Sequence, residues 1–181
     1  MIWWRRTPVE TTIDGLYGTI VAQARLPIFY TDYGVPDTVE GRFEMLALHQ
    51  ALAARRIARE IATSQLGPVL FDRFCRDLDH NLREMGVGDL TVPKRMRAFG
   101  EAYFGRARAY DQALSARDQE ACAQALARNV YGAAIVSAGA RRLARYMEEA
   151  ARQLDVVQTS AFAAGLLRFP DPRAIPAAIA A

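Results

Sequence analysis

Any chemistry in this chain would have to start from two histidines, two cysteines and a close pair of aspartates. His49 and His80 each fall within a predicted helix, with no second histidine or cysteine at ligand spacing, so no metal site is expected. His49 reads as a polar residue near a core edge and His80 as a surface residue. Cys75 and Cys122 occupy apolar positions of helical patterns and lack ligand spacing. They are expected to be reduced core residues of a cytoplasmic protein. Asp77 and Asp79 could in principle share acid–base work, but residues two apart on a helix point in different directions. The plainer reading is a solvated face with local ion pairs. Gly86-Val87-Gly88 has neither the preceding strand nor the third glycine of a dinucleotide fingerprint, and suits a helix stop with a tight turn. There is no phosphate-loop lysine and no serine elbow. Nothing brings a nucleophile, a base and an oxyanion donor together, so the expectation is a binding protein rather than an enzyme, with no cofactor.

The elements around these residues read as helices. Thr12 to Gln23 carries Ile13, Leu16, Tyr17, Ile20 and Val21 on one face. Leu26-Pro27 interrupts it, and the aromatic stretch from Phe29 to Pro36 reads as an extended, ordered loop. Asp37 and Glu40 form a capping-box pair for a helix reaching to Gly67, with Val39, Phe43, Leu46, Ala53, Ile57 and Ile61 inward and Arg42, Arg55, Arg56 and Arg59 outward. Pro68 suits the first turn of the next helix, where Phe71, Phe74, Cys75, Leu78, Leu82 and Met85 repeat at i, i+3, i+4 and i+7. After the loop from Gly86 to Val92, Pro93 opens a helix burying Met96, Phe99, Tyr103, Ala107, Tyr110 and Leu114. Further helices are expected near 118–131, 136–154 and 159–167. The tail from Phe169 holds Pro170, Pro172 and Pro176 and is expected to be partly loose. No segment alternates with period two, so no sheet is expected. The predicted architecture is an all-α single-domain bundle of six or seven helices. It spans residues 12–167, preceded by an arm (1–11) and followed by a Pro/Ala-rich tail (168–181).

With 181 residues, half of them apolar, the chain is long enough for one core and is not a disordered polymer. The net charge of +3 permits contact with anionic lipid or RNA without requiring either, because 20 acidic residues are interleaved with the basic ones. No apolar run approaches the roughly 20 residues that span a bilayer, and the first residues lack a signal-peptide core. The chain is therefore expected to stay where it is made. Trp3, Trp4, Arg5 and Arg6 join interfacial indoles to cations: either the arm meets a membrane surface or it tucks into a groove of its own domain.

The stretch Phe29-Tyr30-Thr31-Asp32-Tyr33-Gly34-Val35-Pro36-Asp37-Thr38-Val39-Glu40-Gly41-Arg42-Phe43-Glu44 resembles the first signature of the ubiquinol–cytochrome c chaperone family. The second resembling stretch runs from Phe74 to Asp79 and from Asn81 to Leu90. It continues through Val92-Pro93-Lys94-Arg95-Met96 to Tyr103-Phe104-Gly105-Arg106 and Tyr110-Asp111. The resemblance covers about Tyr17 to Leu126. It implies a helical protein without catalytic activity that helps assemble the cytochrome bc1 complex by binding newly made cytochrome b. Mitochondrial relatives act with a small partner near the ribosomal exit. This chain lacks their import sequence and looks like a bacterial form, placed in the cytoplasm and peripheral at the inner membrane. Ribosome and membrane surface are further candidate partners, and DNA is not.

A holder of an unfinished membrane protein needs apolar and ionic groups side by side. Two connectors offer them: Tyr30, Asp32, Tyr33, Val35 and Arg42 in the first, and Arg83, Glu84, Val87, Asp89, Leu90, Val92, Lys94 and Arg95 in the second, with Glu101 and Arg106 nearby. The alternative for these side chains is that they plug the bundle ends and tie the loops down. The rival function is an arginine-rich RNA- or ribosome-binding module, using Arg55, Arg56 and Arg59 or Arg141, Arg142 and Arg145.

Overall fold

The computed structural model describes residues 7–177, and every regular element among them is helical. The elements are α1 (Pro8–Ala24), α2 (Ile28–Thr31), α3 (Val39–Ala58), α4 (Leu66–Glu84), α5 (Val92–Ala116), α6 (Gln119–Asn129), α7 (Ala138–Asp155) and α8 (Thr159–Ala163), with a 3-10 turn at Pro172–Ala174. None is long and apolar enough to cross a membrane.

α3 is the hub. It packs against α1, α4, α5 and α7, and its central stretch from Ala47 to Ala53 is buried on every side. α6 and α7 pair closely because small residues face each other: Ala123 and Ala127 on α6, and Ala140, Ala144 and Ala150 on α7, are all buried. Leu143, Tyr146, Met147 and Leu154 of α7 are likewise fully withdrawn from water. At roughly 1.5–3 kcal/mol for each large side chain buried, such residues supply the main stabilising term.

Five local expectations change. α1 starts at Pro8, earlier than the hydrophobic pattern suggests, because Thr7 and Glu10 cap it reciprocally. α3 is capped by Thr38, whose hydroxyl accepts from Gly41 N, while Asp37 instead holds Arg42 at 2.6 Å. α3 also stops at Ala58 rather than running to Gly67. The Thr63 hydroxyl takes the Ile57 carbonyl, turning the chain over residues 59–65, so Ile61 points into solvent at 96% exposure. Arg56 lies inward, donating to the carbonyls of Leu154 and Val157 and to Glu60, with its guanidinium over the Phe162 ring. Finally, the tail is packed as far as residue 176: Leu167, Phe169, Pro170, Pro172 and Ile175 are all buried.

Candidate functional site

The chemistry-bearing residues are mostly locked into structure. His49 is at the centre of the core, not near its edge, with rings of Phe29, Tyr146 and Phe169 around it. Its Nδ1 lies 2.7 Å from the Met45 carbonyl and its Nε2 2.8 Å from the Tyr146 hydroxyl, which accepts in turn from Gln23. The carbonyl requires a proton on Nδ1, so Nε2 accepts from the tyrosine. Burial pushes the ring's pKa down to about 4, so it is neutral near pH 7. His80 is on the surface beside Glu84. Cys122 is buried and its thiol is pushed up to about 12, whereas Cys75 is only half-buried. Asp77 accepts from the Tyr17 hydroxyl and Asp79 pairs with Arg83. No group of three potential ligands gathers among the described residues.

The arginine stripes are likewise engaged. Arg55 pairs with Asp111 and Asp155, and Arg59 with Asp155. Arg141 pairs with Glu120, Arg142 donates to Ile175 O while lying over Tyr33, and Arg145 donates to Pro176 O. A continuous free cationic face for RNA is not formed by either set.

The two connectors differ. In the first, Tyr33 and Val35 are buried. The Tyr33 hydroxyl donates to Pro172 O at 2.7 Å, its own carbonyl accepts from Tyr131, and Val35 N bonds back to Phe29 O. These two side chains serve the core, because α7 and the tail close over them. Tyr30 is half-buried with its hydroxyl on Ala24 O, while Asp32 and Arg42 face solvent. In the second connector, α4 ends in a Schellman motif: Gly86 has φ of 79°, its N–H bonds to Arg83 O, and Val87 N bonds to Leu82 O. Arg83 bridges Asp79 and Asp89. Leu90 stands 97% exposed, Val87 is half-buried, and Val92 is buried beneath the first turn of α5. Lys94, Arg95 and Glu101 are exposed, and Arg106 is tied to buried Glu44 by two contacts of 2.6 and 2.5 Å. Burial raises the Glu44 pKa and Arg106 opposes that rise. Trp3, Trp4, Arg5 and Arg6 lie outside the described residues.

Between the start of α3 and the α4–α5 hairpin lies an open-sided groove of about 340 Å³. Val39, Phe43 and Leu46 form one wall, Leu78, Leu82 and Met85 the other, and Phe99 closes it from α5. The Phe43 ring centroid lies 4.8 Å from that of Phe99 and 6.1 Å from that of Phe74. The rim carries Arg25, Arg42, Asp77, Asn81 and Glu84. Of the connector residues named from sequence, only Arg42 and Glu84 line this groove. Helical spacing alone places these walls in the core, since it cannot say whether a partner helix covers them. Leu82 is buried and Phe43, Leu46 and Leu78 are partly so, whereas Val39 is 60% and Met85 54% exposed.

The ubiquinol-cytochrome C chaperone family model matches residues 31–169. The crystal structure of the Cbp3 homolog from Brucella abortus is similar to this chain, with a TM-score of 0.85 and 38% identity over 93% of this chain and 94% of that one. No curated protein matches. The match begins at the end of α2, takes in both connectors and the groove, and ends at Phe169 beside His49. By that match, and by a likeness extending over nearly all of both chains, this protein belongs to the ubiquinol-cytochrome C chaperone family.

Proposed function

We propose that this chain is a non-enzymatic assembly chaperone of the cytochrome bc1 complex that holds newly made cytochrome b at the groove between α3 and the α4–α5 hairpin. One observation carries the reading: a contiguous apolar trough, rimmed by both signs of charge, in a fold whose other large side chains are mostly packed. An unfinished membrane protein presents an apolar helix with charged ends, and amphipathic or apolar helices dock in grooves of this kind through anchors spaced i, i+3, i+4. The apolar walls receive the helix face while Arg42, Asp77 and Glu84 meet charges at its end. The site acts at the cytoplasmic side of the inner membrane, where such a helix emerges. Tyr33, Val35 and Val92 support the scaffold rather than touch the client, and Arg106 holds α5 to α3.

Affinity capture from native membranes tests this directly. Wild-type protein is expected to recover cytochrome b, and Val39→Asp combined with Met85→Asp to recover at least about tenfold less, since two apolar anchors of roughly 1–2 kcal/mol each are lost. Both positions are half or more exposed, so thermal unfolding should shift little. Normal cytochrome b levels in a strain lacking the chain would defeat the proposal.

A further inference from the structure

The α4–α5 hairpin carries a second feature beside the groove. At its apex Leu90 is almost entirely in water, with Met85 half-exposed one loop-width away. Directly after it, Lys94, Arg95 and Arg97 are exposed in the first turns of α5 and make no ion pair with any described residue. Of the nearby carboxylates, Asp79 and Asp89 pair with Arg83, and Glu84 lies beside His80. Glu101 stands one turn, about 6 Å, beyond Arg97 and about 10 Å beyond Lys94 along α5, and pairs with neither. Elsewhere the arginines are mostly paired or hydrogen-bonded, as with Arg55, Arg59, Arg141 and Arg152. An exposed leucine at a rigid apex backed by unpaired cations matches a bilayer surface: the apolar tip suits the acyl boundary and the cations suit anionic headgroups. Nucleic acid would use the cations but has no place for Leu90.

We propose that the tip of the α4–α5 hairpin seats on an anionic lipid bilayer, with Leu90 entering the interface and Lys94, Arg95 and Arg97 meeting the headgroups. Met85 lies both at this tip and in the groove, so a seated hairpin holds the groove mouth at the membrane surface. The lipid contact stands independently of which client the groove receives, and its test uses no client.

The experiment is sedimentation of the full chain with vesicles of phosphatidylcholine and phosphatidylglycerol, against vesicles of phosphatidylcholine alone. Binding is expected only to the anionic vesicles and to weaken with salt. Leu90→Ser should reduce partitioning about tenfold, and Lys94→Gln with Arg95→Gln and Arg97→Gln on the order of 100-fold. Circular dichroism should confirm unchanged folding. Leu90→Trp in a Trp3→Phe/Trp4→Phe background should shift its emission to the blue on binding. The proposal is overturned if wild type ignores anionic vesicles or binds neutral ones equally well. It is equally overturned if the tip variants bind as wild type while Trp3→Ala/Trp4→Ala abolishes binding, which assigns the contact to the arm. Loss of RNA binding in the cation variants with vesicle binding intact would replace lipid with nucleic acid.

Discussion

The connector leading into α3 and the connector leaving α4 both interrupt the helical pattern with apolar residues and glycines, yet one is sealed and the other open. The first has a ceiling. α7 comes so close that a Cβ at Gly139 would lie 2.2 Å from the Tyr33 carbonyl oxygen, and at Gly41 a Cβ would lie 1.9 Å from that of Pro36. Tyr33 thereby reaches the core and finds Pro172 O as acceptor. Apart from buried Val92, the second connector stands clear: Leu90 is exposed, and a Cβ on Gly86 or Gly88 would have nothing within 4 Å. Apolar residues in a loop are therefore not, by that fact, a recognition surface. What decides is whether another segment comes within contact distance.

The sharpest way to break this contrast is Tyr33→Ala. Removing a fully buried ring that also ends in a hydrogen bond should lower stability by about 3–5 kcal/mol, read as a shift in the urea midpoint. Acid should act on the same region next. The His49 ring carries a folded pKa of about 4 against an ordinary 6.5. Above 6.5 both states are neutral there. As pH falls from 6.5 toward 4, the unfolded chain takes up a proton that the folded one refuses, and stability should decline by up to roughly 3 kcal/mol. Urea unfolding across that window checks it, and His49→Gln should flatten the slope. Gly139→Ala should cost about 1–3 kcal/mol by forcing α7 off the first connector, whereas Leu90→Ala should move the midpoint by less than about 0.5 kcal/mol. Equal effects from these last two would erase the distinction between the connectors.

The class of fold was legible because the helices carry long i, i+3, i+4 stripes between proline and glycine stops. The apolar stripe of α1 begins after its true start; the signal that marks that start is Thr7-Pro8-Val9-Glu10, a capping-box pattern with proline at the first helical position. The turn after Ala58 was hidden, because Thr63 ends the helix through a side-chain bond that competes with an otherwise unbroken pattern. The groove was hidden for a different reason. Val39 and Met85 look like core on any helical wheel, yet both are more than half exposed. Of the connector residues named from the sequence, Arg42 and Glu84 stand on the rim of the groove, whereas Tyr33 and Val92 are concealed by packing.

The tail has a consequence for how the molecule comes into being. Tyr33 waits for an acceptor 139 residues later, and Arg142 and Arg145 close on carbonyls at Ile175 and Pro176. Contacts this distant in sequence are costly to close and form late. A segment made after the rest of the bundle thus latches the first loop in place, and a chain cut short before Phe169 would expose the aromatic centre it was meant to shut.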